Sequence, residues 1–191
     1  PAKPSTFNRS LDQKLSNNHK SCPSVYFRGK HIPASDVVKY LGMHLDRRLT
    51  WKPHICSKLK QIKTRIRDLS WLLSYKSKLS LENKILIYKL IIKPIWYYGI
   101  QLWGCSSKSN TALIQRMQSK ILRMLAGAPW FVSNQIIHED LNIPFIRDVI
   151  KASSTSHHYK LQDHPNSTLA PLLIPPSNKR LKKFWPINLM D

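Results

Sequence analysis

The chain has 191 residues, 42% of them hydrophobic, and carries 31 Lys and Arg against 10 Asp and Glu, a formal net charge of +21. That length and apolar content exclude a chain disordered throughout and suit one domain, or a small pair, with a real core. So large a charge excess repels itself in the compact state. It points to a polyanionic partner, nucleic acid before an anionic membrane surface.

Cys22, Cys56 and Cys105 are odd in number and form no CxxC pair, so neither a zinc ribbon nor a disulfide framework is indicated. A reducing compartment is the natural reading. The opening PAKPSTFNRS lacks the apolar core of a signal peptide. The longest apolar run, Ile85 to Trp103, is interrupted by Lys89, Lys93 and Pro94, which predicts a buried helix and not a membrane span. The chain starts without Met and reads as a fragment.

In chain order, residues 1–21 are polar, with Phe7 and Leu11 as their apolar anchors, and read as a strand remnant followed by a loop. Val25-Tyr26-Phe27, a turn at Arg28-Gly29 and a return through His31-Ile32 predict a hairpin. Val37 to Leu41, closed by Gly42, and Met43-His44-Leu45 predict two further short strands. Residues 1–49 are therefore expected to form a small β element.

A helical bundle is expected over residues 50–130. Ile55, Leu59, Ile62, Ile66, Leu69 and Leu73 alternate at spacings of four and three, which puts all six on one helical stripe. Between them stand Lys58 and Arg65 on one flank and Lys60, Lys63 and Arg67 on the other. Thr50 is the expected cap, with Pro53 in the first turn. A helix running to Leu73 would be roughly 30 Å long, comparable to one turn of a nucleic-acid duplex.

Ser80 caps a second helix with Glu82 near its positive end. This helix is apolar on most sides and is expected to be the central buried element, with a kink or break at Pro94. In the following IWYYGIQLWG the aromatic residues fill the core or stack on bases, and core filling is the preferred reading. Asn110 is the expected cap of a third helix ended by Gly127, with Ile114, Met117, Ile121 and Leu125 inward and Arg116, Lys120 and Arg123 outward. From Arg47 to Arg123 there are 17 Lys and Arg, and Asp68 and Glu82 are the sole acids. Ordinary solvated faces mix both signs.

After Trp130-Phe131, short helices are expected over 131–162, one across 134–141 and one from Pro144 through Ile150. A helix-turn-helix reading is disfavoured, because the second helix is weakly basic and carries Asp148. Residues 163–191 form a Pro-rich tail with a basic knot at Lys179, Arg180, Lys182 and Lys183, extended or disordered. The fold class is α+β and mostly α-helical.

No catalytic constellation stands out. Glu139 and Asp140 are adjacent, and neighbours on a helix diverge. Asp46 is expected to pair with Arg47 or Arg48. His157, His158 and His164 have no acid or Cys at a spacing that would complete a metal site. Five glycines show no phosphate-loop spacing. On residue physics alone the chain is a binding module.

Several long blocks then stand in one order: VKYLG with LDRRLTW, KSKLSLENKILIYKLIIKPIWYYGIQLWG, IQRMQSKILRMLAGAPW, HEDLNIP, HPN and RLKKFWP. Together they resemble the reverse transcriptases of non-LTR retrotransposons, close to the jockey-like clade. The resemblance implies that Tyr40, Leu41 and Gly42 lie at the primer grip at the palm's edge. It also implies a thumb in the helices that follow, and a position near the incoming nucleotide for Lys3. The family's Ala-Asp-Asp site for catalytic Mg2+ would lie upstream of Pro1, so the fragment is expected to hold no cofactor and to be inactive alone.

Implied partners are an RNA template and DNA primer, with the fingers, palm and endonuclease domains of the same polyprotein and no membrane. The implied location is intracellular, a cytoplasmic ribonucleoprotein that enters the nucleus. Lys58, Lys60, Lys63, Arg65, Arg67, Arg116, Lys120 and Arg123 are the expected phosphate contacts. Two other classes stay open, a co-opted RNA- or DNA-binding module and an interaction domain for an acidic protein.

Overall fold

The computed structural model describes residues 24–166, together with 168, 169 and 173. The expectations for residues 1–21, for Lys3 and for nearly all of the tail lie outside the described residues. The chain divides into two compact units after Asp36. The β element expected over residues 1–49 is thus shared between them.

In the first unit, β1 (Val25–Phe27) and β2 (Lys30–Ile32) form an antiparallel hairpin with Tyr26 opposite His31. Arg28 and Gly29 both take positive φ, 49° and 76°, as a two-residue hairpin turn of this hand requires. The Tyr26 and His31 rings meet edge to face at 5.5 Å.

The second unit opens with β3 (Val37–Tyr40) and β4 (Met43–Asp46), again antiparallel and again joined by two residues of positive φ, Leu41 and Gly42. Met43 is buried, and β4 packs against the first helix. That helix, α1, spans Lys52–Asp68 and buries Ile55 and Ile62 of the apolar stripe. It is shorter than the spacing predicts. The chain breaks at Leu69, and a single turn, α2 (Ser70–Leu73), brings Leu73 fully inside.

Thr50 does not hold the cap position. Trp51 does, at φ 64°, and the Asp46 carboxylate accepts the Thr50 and Trp51 N–H groups at 2.9 Å each. A carboxylate at the end of the preceding strand thus fixes the two residues that lead into the helix. The same carboxylate also accepts the Thr50 hydroxyl at 2.9 Å.

Ser80 caps α3 (Leu81–Ile87) through the Asn83 N–H, as its place in the sequence predicts. The expected break at Pro94 is replaced by a π-helical turn, Tyr88–Ile92, in which the Lys93 N–H reaches the Tyr88 carbonyl five residues back. Pro94 then lies in the first turn of α4 (Lys93–Tyr97), where a missing N–H costs little. The chain bends afterwards, at Gly99 with φ 66°, into the short α5 (Ile100–Trp103).

The centre of the unit is α6 (Lys108–Ala126), which packs against α1, α3, α7 (Asn134–Asp140) and α8 (Ile146–Gln162). The second helix is not the central element that its composition suggests. Tyr88 and Ile92 are buried, but Leu86 and Leu90 remain 51% and 67% exposed. Ser107, not Asn110, caps α6, because the Ser107 hydroxyl accepts the Asn110 N–H. Asn110 instead donates its side-chain amide to the Thr50 carbonyl at 3.0 Å, tying α6 to the start of α1. Gly127 ends α6 at φ 61°.

The aromatic run divides by position. Trp96 and Trp103 are core residues, and the Trp103 indole N–H donates to the carbonyls of Trp96 at 3.1 Å and Tyr98 at 3.2 Å. Buried indole N–H groups need such partners. Tyr97 and Tyr98 face outward.

Candidate nucleic-acid interface

The Tyr40-Leu41-Gly42 passage forms the tip of the β3–β4 hairpin, and all three residues are exposed. What fixes the tip is Tyr98. Its hydroxyl donates to the Leu41 carbonyl at 2.7 Å, and a Cβ added at Gly42 would stand 3.6 Å from its ring. The Lys58 ammonium stands over the Tyr98 ring, 5.4 Å from its centre. A cation against the negative face of an aromatic ring is attracted to it. Hairpin, α4–α5 corner and α1 therefore meet at one tyrosine.

This gives Lys58, on its flank of the helix, a ring partner that the helical wheel does not show. Lys58 is half-buried, and that burial lowers its pKa below the usual lysine value, with the Lys39 charge on β3 adding to the effect. Arg65 follows on the same flank seven residues later, about 10 Å along the helix, and is exposed.

On the opposite flank Lys60, Lys63 and Arg67 are all exposed. Among them only Arg67 has an acid nearby, with its Nε 3.8 Å from the Asp68 carboxylate and both side chains largely in solvent. An exposed pair of this kind is worth little. The stripe between the two flanks is the one that enters the core, so α1 shows cations on both sides of its buried seam.

Arg116 and Lys120 on α6 are exposed, as expected. Arg123 is not a third member of that row. Its guanidinium donates to the carbonyls of Pro129 at 2.6 Å and Val132 at 2.7 Å, and to the Asn134 side chain at 3.0 Å. The wheel places Arg123 outward correctly, but the chain after Gly127 folds back over it and takes up its donors.

Beneath the hairpin lies a histidine pair that the sequence alone does not reveal. His54 is completely buried, and its Nδ1 accepts the His44 backbone N–H at 3.3 Å. Burial first, then the neighbouring Lys58 and His44, lowers its pKa to about 4. A neutral imidazole is therefore part of the seam between β4 and α1.

Among the described residues no three His, Cys, Asp or Glu side chains come together as metal ligands. No described helix is long and apolar enough to cross a membrane. His158 and His164 make local contacts instead, to Gln162 and to the Asn166 N–H.

Comparison with known proteins yields neither a matching family model nor a matching solved structure. Curated relatives do match. The chain is 37% identical over 186 residues to the RNA-directed DNA polymerase from mobile element jockey of Drosophila funebris, covering 93% of this chain and 20% of that relative. It is 35% identical over 190 residues to a probable RNA-directed DNA polymerase from transposon X-element of Drosophila melanogaster, covering 96% of this chain and 21% of the relative. A probable polymerase from transposon BS of the same species is 37% identical over 160 residues, or 83% of this chain and 18% of that one. The chain spans about one-fifth of the length of the relatives it matches. Over most of its length, then, the chain is homologous to one segment of the RNA-directed DNA polymerases of the jockey, X-element and BS non-LTR transposons.

Proposed function

We propose that this segment holds the primer–template of a retrotransposon reverse transcriptase, gripping an RNA–DNA hybrid through its phosphates and reading no sequence. The supporting observation is the pair of basic flanks on α1, Lys58 with Arg65 and Lys60 with Lys63 and Arg67, set on either side of a buried apolar seam. Lys58 joins one flank to the exposed hairpin tip, where Tyr40, Leu41 and Gly42 would touch the primer end. Phosphate contacts position a duplex without specifying its sequence. Arg116 and Lys120 would extend the grip from α6, whereas Arg123 serves the fold. Within the whole polymerase, acids from another segment would supply the Mg2+ site and the chemistry, in an intracellular, ultimately nuclear setting.

Fluorescence anisotropy with a labelled RNA–DNA hybrid, titrated with salt, tests the reading. Affinity is expected to fall with a log–log slope of about −0.7 to −0.9 for each phosphate engaged. A flat salt response overturns it.

A further inference from the structure

The turn after α6 carries two aromatic residues that nothing in the fold consumes. Trp130 is 89% exposed and Phe131 71%. Their rings meet edge to face, with centroids 6.0 Å apart and planes at 82°, so the pair leaves flat ring surfaces open. Exposing two large rings side by side forgoes burial that a folded chain ordinarily takes, and such patches mark interaction sites.

The turn is also braced. The Val132 N–H returns to the Pro129 carbonyl at 3.2 Å, which makes Trp130 and Phe131 the two corner residues of a β-turn. Arg123 clamps the carbonyls on both sides of that corner, and Ala128 and Val132 pack on the core at its two ends. Gly127, just before it, lies against Tyr75, and Lys76 stands 5.8 Å from the Tyr75 ring centre. No acid occurs between Glu82 and Glu139, whereas Lys120 and Arg123 lead into the turn.

We propose that the Trp130–Phe131 turn is a stacking platform for an unpaired nucleotide. Rigid, exposed aromatic faces set in a strongly cationic, acid-free stretch suit a base on a polyanionic strand, since every base offers a π face and every nucleotide a phosphate. The charge excludes an acid-poor protein surface as the better occupant. The proposal draws on the duplex reading above only for the origin of the strand, which would be single-stranded nucleic acid running on from the gripped hybrid.

The test uses the 191-residue chain and three probes: a blunt RNA–DNA hybrid, the same hybrid with a single-stranded extension, and a single strand alone. The extension is expected to raise affinity roughly fivefold or more. The double variant Trp130→Ala, Phe131→Ala should lose that gain with blunt-hybrid binding unchanged, and Trp130→Phe should keep most of it. If the single strand binds and the variant weakens it while the blunt hybrid never binds, the platform stands and the duplex reading falls. The platform is overturned if the extension adds nothing to the blunt hybrid, if the variant binds all three probes as the parent does, if it weakens all three equally, or if no probe binds.

Discussion

The Tyr98 hydroxyl donates to the Leu41 carbonyl across 57 positions of sequence, at 2.7 Å, and this bond fastens the hairpin tip to the helical unit. Tyr98→Phe removes the donor and keeps the ring under Lys58. A net loss of about 1 kcal/mol is expected, with faster amide exchange confined to the tip. Hydrogen exchange followed by mass spectrometry reads this directly. Lys58→Met, which deletes the cation and retains the stem, should loosen the same tip without touching its backbone hydrogen bonds.

Replacing Lys60, Lys63 and Arg67 together by Gln should leave circular dichroism and melting nearly unchanged, because all three side chains are exposed. The salt dependence of hybrid binding should become shallower by roughly two units of log–log slope. Unfolding of the variant would assign these residues to the fold.

Arg123 and Arg116 lie on one helix and should behave oppositely. Arg123→Met breaks three hydrogen bonds to the returning loop and should cost about 1–3 kcal/mol in a denaturant titration. Arg116→Gln should stay within about 0.5 kcal/mol of the parent. Arg123→Lys should recover little, since an ammonium cannot reproduce the planar fork.

Stability should depend on pH in two separate windows. His54 titrates at about 4 in the fold against 6.5 as its ordinary value. A depressed basic group leaves the unfolded chain holding more protons, so stability is full above 6.5, falls as the pH drops toward 4 and then levels off. His54→Phe should flatten that window in urea melts taken across it. Burial raises the Asp46 pKa, but the hydrogen bonds from Thr50 and Trp51 outweigh it, and the net direction is below the ordinary 3.8. Its contribution is present above that value and lost as the carboxylate is protonated below it. Asp46→Ala should remove this second window alone.

Much of the fold is legible in the sequence. Arg28-Gly29 and Gly42 mark turns that demand positive φ, Ser80 and Gly127 punctuate helices, and the stripe from Ile55 to Ile66 finds the core, whereas Leu41, read as the end of a strand, is itself a turn residue of positive φ. The failures share one physical cause: a local pattern cannot see a distant partner. Asn110 is as good a capping residue as Ser107, but the Thr50 carbonyl claims its amide. A helical wheel puts Lys58 and Arg123 outward, yet one meets Tyr98 and the other a loop that folds back. His54 reads as a polar residue in a first turn until β4 covers it. Lys60, Lys63, Arg65 and Arg67 need no partner to be placed, and helical periodicity alone locates them.

The π-helical turn before Pro94 carries one more residue than an α-turn would. The rest of that helix, Trp96 included, is consequently set about 100° around the axis from where an unbroken α-helix would leave it. Length in this short interval thus acts as a phase setting for the aromatic core. Shortening the span 88–92 by one residue would restore an ordinary helix and, in doing so, swing Trp96 out of the interior. Substitutions at the exposed Lys89 and Leu90 can be absorbed; a single deletion cannot.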